Sequence, residues 1–332
     1  LSVVIPARNE ERNLPFLLDS LLAQTVRPRE IIVVNDGSED RTGEVAASYA
    51  ERYGVRVVDN PPLPDGWTGK TWALRNGYRE ATGDAIAFLD ADLRLAPQAI
   101  ERLLEARAQS GGVVSVVPFH ETEKAYERLA LIPNVLGVFA FTSPFEGANP
   151  RQGLYGSCIV TSRSDYEAIG GHDSVRSEVL DDLNLGARFR AAGIRVTNYI
   201  GTGLVSFRMY PGGIRSELEG FAKGAVLSTA ALQARTIALI ACWFAGLIVA
   251  ESAIFLWRTP WGAPLLIGYA LYTIQLYFMV KYVGRFGRLA PLLHPLSTLF
   301  FLVVMLYSAY QVLFLRRVAW KGRNVEVGGE DR

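Results

Sequence analysis

The sequence predicts an α/β domain on a mostly parallel sheet with flanking helices, followed by α-helical segments of transmembrane length. From Leu1 to about Phe207, short Val- and Ile-rich runs alternate with amphipathic stretches, the rhythm of successive βαβ units. Several runs are apolar without alternation, as in strands covered on both faces. After Phe207 the chain turns apolar over stretches of roughly 20 residues, the length that crosses a bilayer.

In order, Leu1–Pro6, Glu30–Val34, Val55–Val58, Ala85–Leu89 and Val113–Val117 read as strands. Asn9–Ala23, Asp40–Tyr53, Lys70–Ala81 and Ala96–Ala108 read as the helices between them. The chain opens at Leu1 directly in a strand, which leaves room for a leader or an N-terminal membrane helix ahead of it. Leu129–Phe145 is apolar but broken by Pro133 and Pro144, and reads either as a surface helix touching membrane or acceptor or as ordinary core. Ile237–Leu256, Ala263–Val283 and Leu296–Leu315 read as membrane segments, with Glu251 facing protein, water or headgroups as a packing or snorkelling acid. Arg235, Lys281–Arg288 and Arg316–Arg323 are all basic, and three simple crossings cannot leave all of them on the cytoplasmic side, so one segment is expected to be interfacial or re-entrant. The expected division is a catalytic domain over 1–228, with interfacial helices near 124–145 and 212–228, and a membrane domain over 229–332. The protein is expected to be integral to the membrane with its catalytic domain facing the cytoplasm.

Half of the 332 residues are hydrophobic, enough for one α/β core with apolar residues to spare. A net charge of +1 gives no overall field to recruit nucleic acid. Cys158 and Cys242 are too few for a disulfide framework or a zinc cage, which fits a reducing compartment. His120, His172 and His294 show no ligand spacing, and no Ser-His-Asp or Cys-His arrangement is present.

Polar loops fall at the carboxyl ends of the strands, where open α/β sheets bind ligands. Pro6-Ala7-Arg8-Asn9-Glu10 follows the first strand and Asn35-Asp36-Gly37-Ser38 the second. Asp36 can accept the imide N–H of a uracil, while backbone amides and Arg8 can meet ribose or phosphate oxygens; each loop alone also suits a helix cap. Asp90-Ala91-Asp92 follows the strand Ala85–Leu89. Two carboxylates spaced i, i+2 at a strand end suit Mg²⁺ or Mn²⁺ bridging a diphosphate, whose departing charge the ion would stabilise; the same pair alone also suits a solvated loop. Asp181-Asp182 opens a helix: one acid can serve as a base or orient an acceptor, or both can simply complement the helix dipole. Lys70 can reach donor phosphates and Trp67 can stack on a sugar or lipid. Arg208 and Lys223 can clamp diphosphate oxygens or meet lipid headgroups, with Tyr210 and Phe221 beside them toward acceptor and membrane.

The ordered set VVIPARNEE (3–11), VNDGSEDRT (34–42), DAD (90–92), Asp181-Asp182 and the apolar C-terminal part resembles family 2 glycosyltransferases with a GT-A, Rossmann-like fold, over nearly the whole chain. The resemblance implies that the first two loops bind the nucleotide, that the Asp-x-Asp serves ribose and metal, and that the later acidic pair holds the base of an inverting, single-displacement transfer. WTGK (67–70), Gly170-Gly171-His172, FRMYPGG (207–213), EGFAKG (219–224), HPL (294–296) and VAWKGR (318–323) are further similar to the 4,4′-diaponeurosporenoate glycosyltransferases, which glycosylate a carotenoid acid at the membrane. That group usually carries a lone Glu at the position of Asp181, whereas the broader family relies on the acid matching Asp182, toward which the assignment leans. No Gln-x-x-Arg-Trp string of processive synthases occurs, so transfer of a single sugar is expected; the resemblance implies UDP-glucose, or a similar nucleotide sugar, as the donor. Hopanoid, ceramide and polyprenyl-phosphate glycosyltransferases are the alternatives within the class. A nucleotide-sensing transport component, or a scaffold with a degenerate domain, is the alternative outside it.

Overall fold

A computed structural model describes residues 1–326 except 179, 226–228, 230, 312–313, 315–316 and 321–322, without side chains at 148, 223–224, 317–320 and 323–326. Contacts divide the chain into two compact units, Leu1–Pro118 with Pro150–Phe207, and Phe119–Asn149 with Arg208–Arg332.

The first unit holds strands β1 (Ser2–Ala7), β2 (Glu30–Asn35), β3 (Arg56–Asp59), β4 (Ala85–Leu89), β6 (Gly112–Val117), β8 (Cys158–Ser162) and β9 (Arg195–Ile200) in one seven-stranded sheet, ordered β3-β2-β1-β4-β8-β6-β9. Six strands run the same way; β8 is reversed against both neighbours. From β1 the chain steps outward to β2 and β3, then returns to lay β4 on the other side of β1. Open α/β sheets take their ligands at such a reversal, which here falls at the carboxyl ends of β1 and β4. The short strands β5 (Leu93–Leu95) and β10 (Val205–Phe207) pair antiparallel.

Helices α1 (Leu14–Leu22), α2 (Thr42–Tyr53), α3 (Gly69–Glu80), α4 (Ala99–Ser110), α6 (Arg163–Ala168) and α7 (Asp181–Ala191) cover the sheet. Val4, Ile32, Val34, Ile86 and Phe88 form one core with Ala73 and Leu74 of α3 and Leu185 and Phe189 of α7. A Cβ at Gly77 would lie 2.4 Å from Val4 Cγ1, so α3 can rest directly on β1 only because that residue is glycine. The expected helix from Asn9 begins five residues later. Residues 9–13 are held out of it by a left-handed Asn9 (φ 55) and by Glu10, whose N–H donates to Thr42 Oγ1 at 2.7 Å.

In the second unit a 3₁₀ turn (Tyr126–Ala130) leads into α5 (Leu131–Thr142). Pro133 lies in the first turn, where a missing N–H is tolerated, and the helix stops before Pro144. The Leu129–Phe145 stretch takes the core alternative: Leu131, Ile132, Val135 and Leu136 pack with Leu247, Leu276, Val283 and Phe286. Strand β7 (Phe119–Glu121) pairs in parallel with β11 (Gly284–Arg285). Helix α8 (Ile214–Ala225) lies on α12 (His294–Tyr310). A backbone ribbon, β12 (Arg317–Trp320) with β13 (Arg323–Glu326), follows.

Ala234–Leu256, formed by α9 (Ala234–Glu251) and α10 (Ala253–Leu256), has 23 residues, and α11 (Gly262–Val283) has 22; both are long and apolar enough to cross a membrane. Leu239, Val249, Ile274 and Phe278 project outward from them. The third apolar segment forms α12, 17 residues long, and its expected end at Leu315 lies outside the described residues. Glu251 is a packing acid: its Oε1 lies 2.5 Å from His294 Nδ1 and accepts from Thr298 Oγ1 at 2.7 Å.

Candidate active site

The loops after β1 and β2 interlock. The Asp36 amide donates to Ala7 O at 2.8 Å, and Arg8 Nη1 donates to the carbonyls of Asp36 and Gly37 at 2.8 and 3.3 Å. Asn9 N–H donates to Ser38 Oγ at 3.1 Å, and Asn9 Oδ1 accepts from Glu39 N at 2.8 Å. Gly37 holds φ 60, which a residue with a Cβ adopts only with strain. Asp36 is 7% exposed, and its Oδ1 accepts from Asn60 Nδ2 at 2.8 Å; Asn76 Nδ2 in turn donates to Asn60 Oδ1 at 2.8 Å. This relay from β3 and α3 fixes the Asp36 carboxylate, and neither asparagine was singled out from sequence. Asn60 follows β3 as Asp36 follows β2, so the rule of loops at strand ends could have found it.

A second group forms around the end of β4. Lys70, in the first turn of α3, places Nζ 2.7 Å from Asp90 Oδ1 and donates to Gly156 O at 3.4 Å. Burial works against the Lys70 ammonium, yet Asp90, Asp181 and Asp182 outweigh it and hold the pKa above the usual lysine range. Asp182 Oδ2 accepts from Gly156 N at 2.9 Å and Oδ1 from Leu183 N at 2.9 Å. Asp181 is 8% exposed, and Asp182 is the more open of the pair. Burial, with the charges of Asp92, Asp182 and Asp90, raises the Tyr155 phenol, so this ring belongs to the same cluster. The Tyr155 N–H donates to Ser115 Oγ at 2.9 Å, and Ser115 Oγ donates to Asn198 Oδ1 at 2.6 Å.

Tyr155 and Gly156 were not foreseen because β8 runs backwards. Its register sets Leu89 against Cys158, and the Asp90 amide donates to Ser157 O at 2.9 Å, so residues preceding β8 join those that follow β4. The structure thus gathers Lys70, Asp90, Asp92, Asp181 and Asp182. Trp67 sits edge-on to Trp72 with centroids 5.0 Å apart, and Arg75 lies 5.5 Å from its ring centre while its Nε donates to Asp173 at 3.0 Å. His172 is buried, 2.7 Å from Tyr166 Oη, and burial pushes it down to about 4; it is a neutral core residue.

In the second unit, Arg208 sets Nη1 2.6 Å from Glu123 Oε2 and Nη2 2.7 Å from Glu127 Oε1. Tyr210 (φ 50) packs on Phe221, which packs on Phe300. The side chain of Lys223 lies outside the described residues.

Among the described residues no group of three or more His, Cys, Asp and Glu is arranged to hold a metal ion. A Mg²⁺-type ion, however, commonly takes one or two carboxylates and completes its shell with substrate phosphates and water. Asp90 and Asp92 supply hard oxygens of that kind, and Asp90 already holds a cation, the Lys70 ammonium. The residues present fit such an ion.

A mixed sheet with one reversed strand, a switch point and paired carboxylates beside it define a GT-A-like glycosyltransferase. The chain belongs to glycosyl transferase family 2, whose sequence model matches residues 2–170. It is similar to the 4,4'-diaponeurosporenoate glycosyltransferase of Staphylococcus aureus strain MRSA252, at 34% identity over 339 residues covering 99% of this chain and 89% of the relative. The enzyme of the same name from strain bovine RF122 / ET3-1 matches at the same identity and coverage. Among solved structures, mannosyltransferase PcManGT from Pyrobaculum calidifontis in complex with GDP-Man and Mn2+ superposes with a TM-score of 0.56 at 17% identity, over 95% of this chain and 87% of that one. That last likeness bears on the fold.

Proposed function

We propose that the protein moves one glucose from UDP-glucose to a membrane lipid such as a carotenoid acid, by a single inverting displacement. The observation that carries this is the gathering of Lys70, Asp90, Asp181 and Asp182 at the carboxyl end of β4. The relative's name, matched over nearly the whole chain, supports a carotenoid-acid acceptor. The two helices of spanning length support a membrane site of action. The functional division is a glycosyltransferase domain over 1–228 and a membrane domain over 229–332, the former facing the cytoplasm.

In this reading Asp36, oriented by Asn60, takes the base of the nucleotide, and the loop of Pro6, Ala7, Arg8, Asn9 and Glu10 with Gly37 and Ser38 lines the nucleoside and phosphates. Asp90 and Asp92 would hold a divalent ion, Mg²⁺ or Mn²⁺, which when bound stabilises the charge of the departing diphosphate. Lys70 adds a mobile positive charge on the same group. Two backbone amides fix the carboxylate of Asp182, and its partial exposure leaves it open to an acceptor. Asp182 takes the proton from the acceptor, from a hydroxyl or from the carboxyl group of an acid acceptor that arrives protonated, as the acceptor oxygen bonds to the sugar and the nucleoside diphosphate departs. Asp181, the more buried acid, shapes the field behind it. Trp67 serves the acceptor.

The test incubates purified protein in detergent with a panel of nucleotide sugars and lipid extracts, with products identified by mass spectrometry. A monoglycosylated lipid formed from a UDP-sugar is expected. Nucleotide binding without any transfer favours the sensing alternative and contradicts the proposal.

A further inference from the structure

We infer that Lys70 is a resident counter-cation that keeps Asp90 closed to a divalent ion until a nucleotide diphosphate draws the ammonium away. The inference rests on the reading of the site given above and deepens it by assigning an order of loading. Lys70 Nζ sits 2.7 Å from Asp90 Oδ1 and 3.4 Å from Gly156 O, in the place a cation at Asp90 would take. The carboxylates of Asp90, Asp181 and Asp182 all act on this ammonium. A divalent ion approaching Asp90 alone therefore meets a like charge already at hydrogen-bond range.

The arrangement is movable. Lys70 is the second residue of α3, whose backbone is pinned on the other side of the turn: Thr68 N and Thr71 Oγ1 both donate to Arg176 O, at 2.8 and 2.9 Å. Its long flexible stem lets the ammonium swing while the helix stays in place. A diphosphate offers the ammonium new oxygen acceptors and brings negative charge of its own. Once Lys70 turns to it, Asp90 Oδ1 is released to the ion, which the same diphosphate also ligates. Nucleotide and metal then strengthen one another's binding, and the coupling is reciprocal by linkage.

The test reads free Mn²⁺ by electron paramagnetic resonance on the full chain in detergent, alone and with UDP or GDP. The wild type is expected to bind Mn²⁺ at least about tenfold more tightly with nucleotide than without, the order set by one unit charge at contact distance. Lys70→Gln is expected to bind Mn²⁺ alone about tenfold more tightly than wild type, while binding the nucleotide more weakly. These opposite signs are not the pattern of general damage to the fold, which weakens both. Lys70→Arg keeps the charge and is expected to behave as wild type; Asp90→Asn is expected to abolish the nucleotide-dependent gain. Nucleotide binding with Mn²⁺ affinity unchanged in Lys70→Gln overturns this inference alone. Failure of both nucleotides to bind wild type overturns the proposed function and this inference with it.

Discussion

The backbone amide of Gly156, on the approach to the reversed strand β8, donates to Asp182 Oδ2 at 2.9 Å, and the same glycine's carbonyl accepts from Lys70. One residue therefore fixes both the acid proposed to face the acceptor and the cation proposed to face the donor. A Cβ at this position would lie 2.7 Å from Asp182 Oδ2 and 2.9 Å from Asp182 Cβ. Gly156→Ala is expected to lower kcat by about 10²-fold through displacement of Asp182, with nucleotide affinity changed far less. Steady-state kinetics beside nucleotide titration separate the two effects.

The two acids of α7 are expected to differ. Asp182→Asn keeps the Leu183 amide bond at Oδ1 but replaces the Oδ2 that accepts from Gly156 with an NH2 group, so the proton acceptor is removed, and a loss of about 10²- to 10⁴-fold in kcat with little change in donor KM is expected. Asp181→Asn is expected to cost less. Equal losses, or a larger loss at Asp181, would move the base to the buried position.

Asp36 depends on a partner that itself needs a partner. Asn60→Ala is expected to raise the KM for the nucleotide sugar by roughly tenfold, the scale of one lost hydrogen bond to a charged group, with kcat nearly unchanged. Asn76→Ala, one step further from Asp36, is expected to give a smaller shift in the same direction. Kinetics with the donor varied at saturating acceptor provide the check.

Two buried histidines set an acid limit on stability. Burial pushes His172 to about 4 and His120 to about 4, both below the unfolded value of about 6.5. Above about pH 6.5 both are neutral whether folded or not, and their contribution to stability is fully present. As pH falls from there toward about 4, only the unfolded chain takes up protons, so stability is lost across that window. Thermal melts in detergent between pH 7.5 and 4.5 are expected to show a falling Tm, with a shallower slope in His172→Gln.

Much of the fold was legible because the hydrophobic runs are short, unalternating and regularly spaced, and strands β1, β2 and β4 fall within a residue or two of where those runs place them. Asp36 and the Asp90-Ala91-Asp92 turn could be found because both follow such strands. The reversal of β8 was not legible, since a five-residue apolar strand carries no mark of its direction. With it went Tyr155 and Gly156, which reach the site only because the chain enters β8 from the ligand edge. For Glu251 the sequence left packing and snorkelling both open; its partners His294 and Thr298 lie 43 and 47 residues away and only tertiary structure supplies them.

The most direct measurement is transfer of labelled glucose from UDP-glucose to a carotenoid acid by the full chain in detergent, with the product's anomeric configuration read by nuclear magnetic resonance. The expected result is a singly glucosylated lipid of inverted, β configuration, formed by wild type and reduced at least about 10²-fold in Asp182→Asn. A product of retained α configuration, or one formed equally well by Asp182→Asn, would contradict single displacement at this acidic site.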